Sequence, residues 1–351
     1  MNPPHLINFE DGIEDTLLFL KSIREKMGRK RSPSSNRVNW VKEIPNRLPR
    51  ISTFYDFSKI ESISVSAALV IASCYDRARR MSGITPPAIN YGEWPQDVFQ
   101  VLHDVGFFEF VGHVGVGSGI PVHIGGVSGR KVTSAVSGTN ANGLEECSDR
   151  VLELLRFLSV DDEYAEQLLI DINSVVSEAM INVARHAYPK EFVENSEYDT
   201  IGQWWFAAQA DRDKREIRVV VYDQGATIPG TLPQREWFKH AVETIMRSVV
   251  PDFDYDRDKA ERIGTHDQHY INYSMKKGKT QTQDPQRGLG LPQMQSLIDL
   301  CDDGSISIVS RYGFYRYSKG TGITKSGLST ELEGTLVEWR LSLPAGVETN
   351  E

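Results

Sequence analysis

Three polar side chains stand four residues apart in a segment whose apolar residues have helical spacing. Glu178, Asn182 and His186 follow one another at this interval, and Arg185 lies among them. Residues at i, i+4 and i+8 lie along one side of an α-helix. A carboxylate can take a proton from water or a hydroxyl, a carboxamide oxygen suits Mg²⁺, and an arginine can contact phosphate. The set could carry out phosphate chemistry, but taken alone it is a weak signal, since helices often carry such residues by chance on a solvated face.

Two glycine motifs add features of a nucleotide site. Asp223 ends a β-rich run, and Gly225 follows two residues later. The carboxylate can accept a hydrogen bond from an exocyclic amine, and a residue without Cβ leaves room for a flat ring. A simple Asp-x-Gly turn is the alternative interpretation. Gly288, Leu289 and Gly290 directly precede a helical stretch, where free backbone N–H groups form an anion site.

The elements that must position these residues follow a regular order. Apolar residues at steps of three and four predict helices at 147–158, 162–187 and 288–300. Strand patterns occur at 203–210, 216–222, 305–311, 313–317 and 335–343. The order predicts one sheet with helices on one face, an α/β two-layer sandwich spanning residues 144–345.

Taken in this order, the motifs resemble the four boxes of the GHKL (Bergerat-type) ATP-binding fold that gyrase B, Hsp90, histidine kinases and MutL share. Glu178-x-x-x-Asn182 matches the N box, and Asp223-x-Gly225, Gly288-x-Gly290 and Gly334-Thr335 match the three glycine boxes. The N-box segment SEAMINVARHAYP is similar to the anti-sigma-factor serine-kinase branch.

The resemblance implies ATP and Mg²⁺ as ligands and a role for each matching residue. Glu178 would be the catalytic general base, Asn182 would hold Mg²⁺, and Arg185 would contact phosphate. Asp223 would bind the adenine amine with Gly225 giving the ring access, and Thr335 would support Asp223. Gly288, Leu289 and Gly290 would bring the helix start to the phosphates. His186 is expected to pack at the helix end.

The segment between the first two glycine boxes, residues 226–287, corresponds to the ATP lid and is long for the small kinases. Lys276, Lys277 or Lys279 could reach the γ-phosphate on lid closure, or be solvated loop lysines. A long lid suits nucleotide-dependent closure. An ATPase and a protein serine/threonine kinase both remain open, and the alternative is a non-catalytic ATP-gated interaction switch. No phosphoacceptor helix of a conventional histidine kinase is visible in the sequence.

Residues 45–112 are predicted to form a small α/β domain that resembles STAS (anti-anti-sigma) proteins. The resemblance rests on the run from Asp56 to Ala68, although Ser64 and Ala67 replace the Asp and Gly of the family pattern. Ser66 occupies the position that such domains use as phosphoacceptor. A serine at a helix start is more often simply an N-cap.

Charge and composition complete the organisation. The chain has a net charge of −9, yet residues 21–50 contain ten Lys or Arg and two acids. We expect residues 1–44 to be an extension with a basic linker, 113–143 a Gly/Ser-rich linker or hairpins, and 346–351 a tail. The basic segment suits an acidic partner, phosphates or plain solvation, and the acidic remainder disfavours nucleic acid as the main partner.

The cysteines and apolar runs bear on the compartment. Three widely spaced cysteines fit neither a disulfide framework nor a zinc site. No secretory signal or membrane-spanning run is visible. The sequence therefore predicts a cytoplasmic Mg-ATP-binding regulator with a protein partner or substrate, and it leaves the oligomeric state open.

Overall fold

The computed structural model of the protein describes residues 3–26, 55–82, 85, 87–111, 129–196, 200–231, 264–276 and 290–344, with isolated positions between 243 and 254. Predictions that concern residues 27–54, 112–128, 277–289 and 345–351 lie outside the described residues. They include most of the basic segment, Lys277, Lys279, Gly288, Leu289 and the tail.

Residues 3–26, 55–82 and 87–111 form what we call the N-terminal layer. Its elements are β1 (Leu6–Ile7), α1 (Ile13–Lys26), β2 (Tyr55–Asp56), β3 (Ser62–Ile63), α2 (Val65–Ser82), β4 (Ala88–Ile89), α3 (Gln96–Asp104) and α4 (Phe107–Phe110). Strand β1 pairs with β3 and β2 pairs with β4, both in parallel. Aromatic side chains around Phe57 and Phe107 fill the space between these helices and strands.

The rest of the described chain builds one antiparallel sheet with helices. Its elements are β5 (Arg130–Val132), β6 (Val136–Gly138), α5 (Leu144–Phe157), α6 (Asp162–Asn182), α7 (Lys190–Asn195), β7 (Trp204–Asp211), β8 (Glu216–Asp223), α8 (Ile228–Thr231), α9 (Asp267–Lys276), α10 (Gly290–Leu300), β9 (Asp303–Ser318) and β10 (Gly322–Ser342). The strand order is β5-β7-β8-β10-β9, and β6 also pairs with β7.

Helices α5, α6 and α10 cover one face of the sheet, as the sequence predicted. Asp161 caps α6 by accepting hydrogen bonds from the backbone N–H groups of Glu163 and Tyr164. The apolar stripe of α6, with Ile172 and Met180 buried, packs against the sheet residues Val219 and Trp339. Within the described part of the chain, none of the helices combines the length and hydropathy that a membrane span requires.

The opposite face of the sheet is also covered, so the two-layer prediction was incomplete. Trp205, Ala207, Val220 and Tyr222 alternate with the residues that face α6, and they pack in one core with the N-terminal layer. Nearly every position of β7 and β8 is buried, as in strands covered on both faces. The molecule therefore has three layers, with the sheet in the middle.

Two segments that the sequence analysis treated as connectors belong to this architecture. Residues 3–26 form β1 and α1, and α1 packs in the same core as α2. Residues 130–138, expected in a linker or hairpins, form β5 and β6 on the edge of the sheet. The strands of the N-terminal layer make two separate pairs, and the likeness to STAS domains stays a prediction.

The last strands differ from the sequence prediction. Two strands at 305–311 and 313–317 were expected, but β9 runs without interruption through Arg311. Arg311 has a φ of 55°, and the pairing of β9 with β10 shifts register on both sides of Leu332. These are β-bulges, which bend a strand without ending it. The long hairpin that results carries β10 back from Gly322 to the centre of the sheet.

Candidate functional site

Asn182 is the last residue of α6, and Glu178 lies one turn before it. The Glu178 side chain is half-buried. Partial burial raises the pKa of Glu178, while the nearby Arg185 charge and the Asn182 side chain act in the opposite direction. A carboxylate whose pKa is raised holds a proton more readily, which suits a group that receives one from a nucleophile. The end of α6 and the turn after it thus bring the N-box residues Glu178 and Asn182 close to Arg185.

Directly after Asn182 the helix widens into a π-helical turn, Val183–Ala187. This turn interrupts the straight line expected for Glu178, Asn182 and His186. Both Arg185 and His186 are exposed. Single π turns within α-helices occur frequently at functional sites. Here the wider turn moves Arg185 off the α-helical path while keeping its charge close to Glu178.

The Asn182 carboxamide is suited to an additional ligand. Its Nδ2 atom is buried and has no hydrogen-bond partner of ordinary geometry among the described residues, although the side chain lies close enough to Glu178 to lower that group's pKa. Buried amides normally have such partners. No cluster of three His, Cys, Asp or Glu side chains suited to a metal occurs in the described ranges. The unpaired Nδ2 can donate to a phosphate oxygen, and the carboxamide oxygen is the atom that would hold Mg²⁺ beside those phosphates.

Asp223 lies at the end of β8, in a row of paired residues that crosses the sheet. Its neighbours in the row are Trp204 on β7 and Thr335 on β10, and Ser310 on β9 follows Thr335. Directly paired residues share one face of a sheet. This face is the one covered by α6, because alternate residues of a strand share a face and Val219, Val221 and Asp223 are two apart. The sheet and α6 therefore supply their polar groups to the same side.

The Asp223 carboxyl is 6% exposed, and its Oδ1 accepts the backbone N–H of Gly225 at 2.8 Å. Burial raises the pKa of Asp223 to about 7, and the Gly225 hydrogen bond opposes this rise. Tyr188 helps to fix the turn, since its hydroxyl accepts the backbone N–H of Gln224 and donates to the carbonyl of Gln203. Sequence reasoning missed Tyr188 and Gln224, although both stand beside motif residues.

Two glycines are required here by neighbouring backbone. A Cβ on Gly225 would overlap the carbonyl of Ala187, at the end of the π turn. A Cβ on Gly334, whose φ is 88°, would overlap the carbonyl of Asp223. Gly225 was expected to make room for a ring, whereas the observed contact is with protein backbone. Both glycines allow the segments around Asp223 to approach each other closely.

Thr335 lies beside Asp223, but its hydroxyl bonds to another group. Thr335 Oγ1 is 2.9 Å from Ser310 Oγ, and Ser310 Oγ accepts the backbone N–H of Ile228. Ser310 thereby connects the third glycine motif to the start of the lid segment. The sequence offered no signal for Ser310, because only the pairing of β9 with β10 brings it into this row.

The second glycine motif and the lid are described in part. Gly290 is the first residue of α10, and Lys276 is the last of α9. Part of the predicted lid is packed on the sheet: Asp267 on α9 is fully buried, forms an ion pair with Arg311 and accepts the backbone N–H of Tyr312. Residues 264–276 are therefore anchored to β9, which the prediction of one long lid did not anticipate.

Ser66, the predicted phosphoacceptor, lies at the start of α2 with no exposed surface. Its hydroxyl is 2.9 Å from Ser64 Oγ and lies near enough to the buried carboxyl of Glu338 on β10 to oppose the rise of that group's pKa. A kinase reaches a serine hydroxyl only when it is exposed. Phosphorylation of Ser66 stays a prediction and requires the N-terminal layer to separate from the sheet.

A search of curated proteins gives no match to this chain. Residues 147–307, just under half of the chain, match the family model described as the histidine kinase-like ATPase domain. The matched range contains Glu178, Asn182, Asp223, Gly225 and Gly290, while Thr335 lies beyond it. The mixed α/β fold of this part, with helices on one face of its sheet, is consistent with that family. Residues 147–307 are thus similar to an ATP-binding, kinase-like ATPase domain of the GHKL type.

Proposed function

We propose that this chain is a cytoplasmic regulator that binds Mg-ATP beside Asp223 and α6 and either hydrolyses it or transfers its γ-phosphate to a protein Ser or Thr. Lid closure over the nucleotide would control a protein partner. The observation that carries the proposal is the placement of Asp223 and the N-box residues on one side of the sheet, inside the family match. All three cysteines are free and buried, which suits a reducing compartment.

In this proposal the turn that begins at Asp223 recognises adenine. Asp223, buried and held by the N–H of Gly225, accepts a hydrogen bond from the exocyclic amine. Tyr188 keeps the turn in place by bonding the backbone of Gln224. The start of α10 at Gly290 supplies backbone N–H groups toward the phosphates. The turn that carries Asp223 is thus held in place by its neighbours.

The reacting end lies at the C-terminus of α6. Glu178 takes the proton of the attacking water or hydroxyl, and Arg185 adds positive charge near it. Asn182 is the residue that would hold Mg²⁺. Bound Mg²⁺ would supply charge neutralisation at the phosphates.

Replacing Glu178 tests the catalytic version of the proposal. Glu178→Ala should abolish most ATP hydrolysis and protein phosphorylation, a loss of about 100-fold or more, because the base is removed. Binding of a non-hydrolysable ATP analogue should persist. Glu166→Ala, an exposed acid on the same helix, is the matched control and should retain full activity. Equal rates in Glu178→Ala and the wild type would exclude the enzymatic role.

A non-catalytic ATP-gated switch is the second candidate, favoured by the direct contact between the Asp223 turn and the N-terminal layer. It predicts that Glu178→Ala keeps the biological function. Asp223→Asn should lose nucleotide binding and function together, because the adenine acceptor becomes a mixed donor and acceptor. Calorimetry with the ATP analogue and a partner-binding assay separate the two candidates.

A further inference from the structure

The turn that contains Asp223 is in direct contact with the N-terminal layer. Gln224 is buried, and its Nε2 donates to Ser73 Oγ on α2 at 3.1 Å, with Cys74 Sγ on the same helix at 3.9 Å. The Gln224 amide oxygen has no hydrogen-bond partner within the described ranges. Among the described residues, the polar contacts of this side chain are therefore with α2, while the preceding residue, Asp223, lies on the face of the sheet with the proposed nucleotide site.

The contact is held in place from both sides. Ser73 has no exposed surface, and its hydroxyl donates to the Val70 carbonyl at 2.8 Å, so its lone pairs are directed toward Gln224. On the other side, Tyr188, which directly follows the π turn after α6, accepts the Gln224 backbone N–H with its hydroxyl. A shift of the turn toward a ligand must therefore either stretch the bond to α2 or carry α2 with it.

A second connection joins the N-terminal layer to the strand beside Asp223. Arg24 of α1 forms an ion pair with Glu333, which directly precedes Gly334. The Glu333 carbonyl accepts the Tyr222 hydroxyl at 2.8 Å, and Tyr222 directly precedes Asp223. Arg24 of the N-terminal layer thus holds Glu333, and Glu333 in turn holds Tyr222, the residue before Asp223.

We propose that the N-terminal layer regulates nucleotide affinity, with Gln224 as the positioning residue that couples α2 to the Asp223 turn. This inference rests on the proposed ATP binding and extends it by naming the regulatory element. Coupling between two sites is reciprocal. Nucleotide binding must therefore change the stability of α2, as α2 changes the affinity for nucleotide.

The test compares nucleotide affinity with hydrogen exchange in α2. In the full chain, the non-hydrolysable ATP analogue should slow amide exchange in residues 65–82. Ser73→Ala should weaken binding of the analogue by about five-fold or more and abolish this slowing. Trp205→Phe is the matched control: it removes another buried bond to α2, from Trp205 Nε1 to Asp76 at 2.9 Å, but leaves the turn intact. It should retain the exchange response.

A double variant separates coupling from simple stability. Ser73→Ala leaves the Gln224 amide unpaired, whereas Ser73→Ala with Gln224→Leu removes both polar groups and should recover most of the unfolding free energy. If Gln224 couples α2 to the nucleotide site, the ATP analogue should still fail to slow amide exchange in α2 of the double variant. Recovery of affinity and of the exchange response together with stability would show a merely structural contact and overturn the inference.

The outcome also distinguishes this inference from the proposed function. A wild-type chain that does not bind the ATP analogue contradicts the proposed function itself. A wild-type chain that binds the analogue with no change in α2 exchange contradicts only the coupling.

Discussion

At the scale of single residues, the protonation of Asp223 is the property most open to measurement. With a pKa of about 7 in the folded chain and about 4 when unfolded, Asp223 binds more protons in the folded state between these values. Its contribution to the unfolding free energy therefore increases as the pH falls from 7 to 4. Its ability to accept a charge-assisted hydrogen bond decreases over the same range.

We expect affinity for adenosine, which has no titrating phosphate, to weaken about five-fold as the pH falls from 8 to 6. The cause is protonation of the Asp223 carboxylate that accepts the adenine amine. Titration calorimetry across this range measures the effect. Asp211→Asn, at another buried acid that ends a strand, should leave the pH dependence unchanged. An affinity that stays constant or rises toward pH 6 would contradict the assignment.

The sequence allowed the candidate site residues that belong to local motifs to be proposed. Glu178, Asn182 and Asp223 could be proposed because helical spacing and a strand end are local features. Tyr188 and Ser310 could not, since their contacts depend on pairing between distant segments. The π turn after Asn182 was also missed, because apolar spacing does not distinguish one widened turn from regular helix.

At the scale of elements, the bulge in β10 determines how closely two strands meet at Asp223. Gly334→Ala should lower the unfolding free energy by about 3 kcal/mol or more. The strain of a positive φ and the overlap of the new Cβ with the Asp223 carbonyl both raise the free energy of the folded state. Urea denaturation measures this loss. Gly320→Ala, at a φ of 83° in open space, should cost only about 1 kcal/mol. Similar losses in both variants would show that the overlap is relieved elsewhere.

The three helices on one face of the sheet and the central strands β7 and β8 were predicted correctly, and the errors elsewhere have physical reasons. The break expected near Arg311 is a bulge, since a residue with positive φ can bend a strand without ending it. Residues 130–138 were expected in a linker or in hairpins because of their small and polar composition. They form strands because the edge of β7 offers them backbone hydrogen bonds.

At the scale of the whole molecule, a charged cluster lies between the N-terminal layer and the sheet. Arg218 contacts Glu216, Glu338 and Glu10 at 2.7, 3.0 and 3.2 Å. Burial alone would lower the pKa of Arg218, but these carboxylates raise it. Burial raises the pKa of Glu338, and Arg218 opposes the rise. The charges of Arg218 and these carboxylates therefore compensate one another only while every member of the cluster is present.

Arg218→Met should lower the unfolding free energy by about 3–5 kcal/mol, because buried carboxylates lose their shared partner. Chemical denaturation of the full chain measures the change. Lys131→Met, which removes an exposed ion pair with Glu153, should cost no more than about 1 kcal/mol. If the two variants lose equal stability, the cluster is no more than a surface feature. Sequence analysis could not find it, since its members span residues 10 to 338.

The contacts of α1 also affect the order in which the chain can fold. Glu14 accepts hydrogen bonds from the backbone and hydroxyl of Ser329, more than 300 residues away, and Glu10 reaches Arg218. During synthesis, the first helix emerges long before β10 exists. The N-terminal layer therefore cannot complete its core on the ribosome ahead of the rest. The part of its apolar surface that packs against β10 therefore gains that cover only after this strand is translated.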